Sequence, residues 1–132
     1  MRRASFRNES GQAITEMALV LPILLSVLLG IAQFGIVFNN YITLTDATRA
    51  GARKAAVARF TGDAGAAATA LVYSSASSLK APDLQVSVVS ASDWSVPGSD
   101  VTVTASYPYS IDILGLTVKS GHLTSTQKES LE

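Results

Sequence analysis

One histidine and no cysteine occur in the 132 residues, so the side chains that most often ligate metals or attack substrates are nearly absent. A zinc site at His122 would need an unusual set of carboxylates, since neither a thiolate nor a second histidine is available. Serines are abundant, but none stands in G-x-S-x-G, and a Ser-His-Asp triad would depend on that same His122. His122 instead reads as a surface strand residue. Neither a Walker loop nor G-x-G-x-x-G occurs, so nucleotide phosphates find no glycine-rich cradle; Gly62-Asp63-Ala64-Gly65 reads as a loop-to-helix junction. No enzyme activity, metal, cofactor or small-molecule substrate is expected.

The carboxylate that stands out is Glu16, at the edge of a long apolar run. An ionisable group there is costly to hold near lipid and points to a partner. Its bland reading is an interfacial side chain that snorkels to water. Its functional reading is neutralisation of a positive charge in an assembly. Gly11 lies five residues upstream behind a short basic leader with Arg2, Arg3 and Arg7. Cleavage after Gly11 would free the amine of Gln12, one helical turn from Glu16.

The element that must position Glu16 is the apolar run. No residue from Met17 to Thr45 is charged, and Met17–Phe38 is almost entirely Leu, Val, Ile, Ala and Phe. As helix this segment spans about 33 Å at ~1.5 Å per residue, enough to cross a hydrocarbon core of ~30 Å. Its rivals ask for shorter runs: ~10–14 residues for the buried helix of a soluble protein, ~7–15 for a cleaved secretory signal. Pro22 frees a carbonyl inside this helix and can kink it. Ser26 and Gly30 form a small-xxx-small pair that lets another helix approach closely.

The basic flank before the span argues for a cytoplasmic N-terminus. Arg49, Arg53, Lys54 and Arg59 beyond it oppose that reading, so the Lys/Arg count alone does not settle orientation. Formal net charge is zero and charged residues make up 15%. Nucleic acid is therefore not an expected partner.

Beyond Phe38 the helical pattern continues to about residue 60. Ala47, Gly51 and Ala55 recur at four-residue spacing on one face, while Asp46, Arg49 and Arg53 share another. The small face permits close packing and the charged face suits water. Thr61-Gly62-Asp63 breaks the helix, with Asp63 as N-cap of an Ala-rich helix running to about Leu79 and ended by Lys80-Ala81-Pro82. From Leu84 the period becomes alternating. Leu84, Val86 and Val88 share one strand face and Val101, Val103, Ala105 and Tyr107 another. Pro97-Gly98 suggests an antiparallel connection between them. Pro108 is expected to end the second strand. A third is expected within Leu116–Lys128, with Gly115 and Gly121 as interruptions.

Gly11-Gln-Ala-Ile-Thr-Glu16, the following Met-Ala-Leu-Val-Leu-Pro-Ile-Leu-Leu, Gly30-Ile-Ala-Gln-Phe-Gly35 and Ala47-Thr-Arg-Ala-Gly-Ala-Arg-Lys-Ala-Ala56 stand in register over roughly residues 10–58. Together they resemble the TadE-like pseudopilins of tight-adherence (Flp-type) pilus systems. The resemblance implies a structural minor pilin or pseudopilin serving an adhesive pilus or its secretion machinery. It implies a prepilin-type leader at 1–11, cut by a prepilin peptidase between Gly11 and Gln12, and pairing of Glu16 with the N-terminal amine of an adjacent subunit. The implied partners are the inner membrane, other pilin subunits and the assembly platform. The expected architecture is α+β and pilin-like. A helix over 12–60 crosses the bacterial cytoplasmic membrane at about 17–38, N-terminus inside, and a small extracytoplasmic domain over 61–132 holds a short helix and an antiparallel sheet. An unprocessed, membrane-anchored binding module is the alternative.

Overall fold

A computed structural model describes residues 9–58, 63–92, 94, 96 and 98–130. The expected leader residues 1–8, the helix end at 59–60, the break at 61–62 and Pro97 lie outside these. Helix α1 covers Glu9–Val57 with Pro22 inside it, a rod about 73 Å long at ~1.5 Å per residue. Helix α2 covers Ala64–Ser75, and the strands are β1 (Gln85–Ser90), β2 (Asp100–Ile113) and β3 (Leu116–Ser130). The three strands form one antiparallel sheet in the order β1-β2-β3. The fold is thus α+β, with a long apolar N-terminal helix, a short helix and a small sheet.

Asp63 caps α2 as its residue type suggests: the carboxylate accepts from the Ala66 amide at 3.2 Å, satisfying one of the free N–H groups of the first turn. The helix stops at Ser75, four residues before the expected Leu79. In its last turn the Ser74 hydroxyl donates to the Leu71 carbonyl at 3.0 Å. Such side-chain bonds compete with the helical ladder, and the chain leaves through a turn into a short 3-10 segment, Ala81–Asp83, that contains Pro82.

Strand β2 does not end at Pro108 but runs on to Ile113. β1 pairs with β2 only as far as Ser106. Pro108, two residues beyond, stands where β2 has an open edge on that side, the place in a sheet that tolerates a missing N–H. From there β2 and β3 continue as a two-stranded ribbon, closed by a two-residue turn at Leu114–Gly115 between the paired residues Ile113 and Leu116. Gly121 sits inside β3 opposite Tyr109. The Tyr109 ring lies over the space that the missing side chain leaves, 3.1 Å from where a Cβ at residue 121 would stand, as aromatic neighbours often do for strand glycines.

The core begins at Leu44. Leu44, Ala47, Ala52, Val72, Leu84, Val103, Ala105 and Tyr107 form one buried cluster, and Ala55, Ala68 and Val101 a second. Fully burying a Val or Leu side chain contributes roughly 1.5–3 kcal/mol, so the upper half of α1 is held by the domain it carries. Two tyrosines tie the helices to the sheet connections. Tyr73 donates to the Leu84 carbonyl at 2.9 Å, and the Tyr107 hydroxyl accepts from the Lys80 amide at 3.4 Å.

Candidate assembly helix and its carboxylate

The path of β2 along α1 fixes which parts of the helix remain free. Val103 packs where a Cβ on Gly51 would stand, at 3.6 Å, and Ile113 where one on Gly30 would stand, at 3.7 Å. Ten strand residues at ~3.3 Å cover about 33 Å, and the helix from Gly51 to Gly30 covers about 31 Å. Equal lengths mean that β2 runs antiparallel to α1 and nearly along its axis. The half-buried helix positions 30, 33, 37, 40 and 43 mark its track.

Ala47, Gly51 and Ala55 are therefore already occupied. Ala47 and Ala55 are buried, and Gly51 faces Val72, the Ala68 carbonyl and Val103. The close approach that their spacing permits is made by α2 and β2 of the same chain. Asp46, Arg49 and Arg53 are exposed on the other face. Gly30 is covered by Ile113 of the hairpin, whereas Ser26, one turn below, is only half-buried. The Ser26 hydroxyl donates to the Pro22 carbonyl at 2.8 Å, and α1 continues through Pro22 without a break.

Below Gly30 the helix is bare. Ile14, Met17, Leu19, Val20, Leu21, Ile23, Leu24, Leu25, Val27, Leu28 and Leu29 are all exposed. Among the described residues α1 is long and apolar enough to cross a membrane, with none of its most apolar window buried by the protein. A core helix would have that window covered, so this surface calls for lipid or other subunits.

At the foot of the helix the Gln12 carboxamide donates to the Glu16 carboxylate at 3.0 Å. The two are exposed and one turn apart. The Gly11 carbonyl accepts from the Thr15 hydroxyl at 3.0 Å, and the Gly11–Gln12 peptide bond lies within α1. A peptidase would have to unwind this first turn before it could reach the bond.

His122 is exposed on β3, paired with Pro108. Among the described residues, no three His, Asp or Glu side chains are grouped so as to hold a metal. A polar cluster that sequence patterns did not single out lies near the hairpin turn. Asp112 accepts from the Thr117 hydroxyl at 2.6 Å and from the Ser110 hydroxyl at 2.9 Å. These hydrogen bonds, Thr117 first, hold its carboxyl below the ordinary aspartate value, against a smaller opposing effect of desolvation. A Ser-x-Asp followed by threonine across a glycine turn was the available signal.

A family model described as TadE-like protein matches residues 11–53. The match covers the bare segment, the Gln12–Glu16 turn and the helix up to Arg53. It bears out the resemblance over this segment. No curated protein and no solved structure matches the chain.

Proposed function

From the TadE-like segment at residues 11–53, we propose that this chain is a structural minor pilin or pseudopilin that takes part in assembling a Tad-type pilus or its secretion machinery. The family match carries this reading. The uncovered apolar helix supports it, because such a surface suits first a membrane and then a fibre core. In this role the N-terminus is cytoplasmic, the helix is anchored in the inner membrane, and the α2–sheet unit lies outside. Prepilin peptidase removes residues 1–11, and the new amine of Gln12 meets Glu16 of a neighbouring subunit. A charge-assisted N–H···O bond is roughly twice as strong as a neutral one, and in an apolar fibre core each group would otherwise be unpaired. The Gln12 carboxamide, which holds Glu16 within one chain, gives way to that amine. The chain turns over no substrate. The α2–sheet unit separates it from major subunits that are little more than the helix.

The test is intact mass with N-terminal sequencing of the protein from its native membrane. A chain that starts at Gln12 upholds the processed-pilin reading. A chain that starts at Met1 sinks it and favours a tethered extracytoplasmic binding module. A start beyond Phe38 would make the apolar run a signal sequence and remove the anchor altogether.

A further inference from the structure

The β2–β3 hairpin ends in an apolar tip. Leu114, Leu116 and Val118 are 67%, 74% and 64% exposed. The turn that presents them has positive φ at both residues, 52° at Leu114 and 82° at Gly115. Two-residue turns of this form strongly favour Asn-Gly or Asp-Gly. A leucine there crowds its Cβ against the next carbonyl, so a large apolar group is held at the apex at a conformational cost.

The height of the tip is set by Ile113, which packs against Gly30. That level lies within the charge-free Met17–Thr45 stretch, where Ile31 and Phe34 are also exposed on the helix. Directly above the Ile113–Leu116 pair the exposed surface turns polar, first with Asp112 and Thr117 and then with Ser110, Lys119, Ser120 and His122. At ~3.3 Å per residue this change begins about 7 Å above the turn. An apolar face lying in a membrane interface is buried to about the same depth, ~5–10 Å. The bulge at Ile111/Asp112, which leaves Val118 without a partner, and the open edges of the two-stranded ribbon keep the tip at the interface, where headgroups and water satisfy the free backbone groups.

We propose that this tip is a lipid-surface wedge: Ile113, Leu114 and Leu116 enter the boundary between headgroups and acyl chains of the outer leaflet beside α1, with Asp112, Thr117, Val118 and Lys119 at headgroup level. The inference rests on the membrane-anchored reading of α1 and adds a second contact that fixes the helix height. With Gly30 at the outer boundary, a hydrocarbon core of ~30 Å takes up about 20 helical residues, back to about Gly11. The crossing segment then lies nearer the N-terminus than Met17–Phe38. Phe34 and Phe38 fall in the headgroup zone, where aromatic rings concentrate. Glu16 lies inside the inner leaflet edge, where its bond to Gln12 matters most.

The absence of cysteine permits single-site labelling of the full chain. Leu116→Cys, Leu24→Cys and Thr126→Cys, each carrying an NBD fluorophore, are reconstituted in phosphatidylcholine/phosphatidylglycerol vesicles with brominated acyl chains. The wedge requires the label at Leu116 to be blue-shifted, quenched by brominated lipid and shielded from aqueous iodide, with the label at Thr126 behaving oppositely. Iodide quenching at Leu116 as strong as at Thr126, with Leu24 still quenched by brominated lipid, overturns the wedge and leaves the anchor standing. Loss of brominated-lipid quenching at Leu24 overturns the anchored reading itself. A blue shift at Leu116 that fades as protein is diluted into excess lipid, without brominated-lipid quenching, overturns the wedge in favour of a second copy of this chain. Since Leu116 is largely exposed, its replacement leaves the fold intact.

Discussion

Val72 of α2 fills the space over Gly51 of α1, so that a Cβ added at Gly51 would overlap the Val72 Cγ2 atom, with the Ala68 carbonyl 3.4 Å away. Val72 is fully buried and cannot swing clear, and the backbone of α2 stands behind it. The helices touch because residue 51 has no side chain.

Gly51→Ala is therefore expected to lose about 1–3 kcal/mol of stability, the usual cost of overpacking, despite the better helix propensity of alanine. Gly35→Ala is the control, since nothing lies within 4 Å of that position. It should gain up to about 1 kcal/mol from propensity alone. Urea unfolding of both variants in the same detergent checks the contrast. Equal effects at the two glycines would mean that the α1–α2 contact is looser than described.

Asp63→Ala removes the acceptor for the Ala66 amide. The expected loss is about 1 kcal/mol, typical of an N-cap, while Asp63→Asn should retain most of the stability. Because α2 buries Ala64, Ala68 and Val72, hydrogen exchange should quicken first in the opening turn of α2 and leave the β2–β3 amides slow. Uniform quickening across the sheet would contradict this.

Much of this architecture is legible in the sequence because the signals are local. The charge-free run marks α1, Asp63 marks the start of α2, and alternation at Val101, Val103 and Ala105 marks the inward face of β2. What cannot be read there is the reach of the hairpin. Pro108 looks like a terminator until β1 is seen to stop pairing at Ser106, and Leu114-Gly115 lacks the asparagine that advertises a two-residue turn. Spacing alone assigns Gly30 to a neighbouring helix and leaves the Ala47–Ala55 face without a named partner. Small residues reveal that something approaches closely, but not what. The occupants, Ile113, Val72 and Val103, are all distant in sequence. The roles of Gly11, Gln12 and Glu16 rest on an assembly that a single chain does not contain.

Acid should loosen the hairpin near its turn. Thr117 and Ser110 hold the Asp112 carboxyl below its ordinary value, so the charged form is favoured in the fold. The stabilisation is fully present above the unfolded-state value of about 3.9 and is lost as pH falls through the lower folded value. NMR titration in detergent should give Asp112 a midpoint below that of an unstructured aspartate, and Thr117→Val should raise it. An unchanged midpoint in Thr117→Val would remove the hydroxyl as the main cause.

Leu114→Asn should separate the stability of the turn from its use. Asparagine tolerates the left-handed backbone found at residue 114, and relieving the leucine is worth about 1 kcal/mol, given a cost of ~1–2 kcal/mol for ordinary residues there. The variant should therefore unfold at higher denaturant concentration in detergent. In vesicles it exchanges an apolar apex for an amide, so a label at Leu116 should be quenched less by brominated lipid and more by iodide than in the parent chain. Proteins commonly hold a strained residue where function needs it, and give up stability to do so. A gain in stability with unchanged lipid quenching would show that the leucine side chain is not what holds the tip at the membrane. A loss of stability would mean that Leu114 makes contacts in the folded chain that its exposure does not reveal.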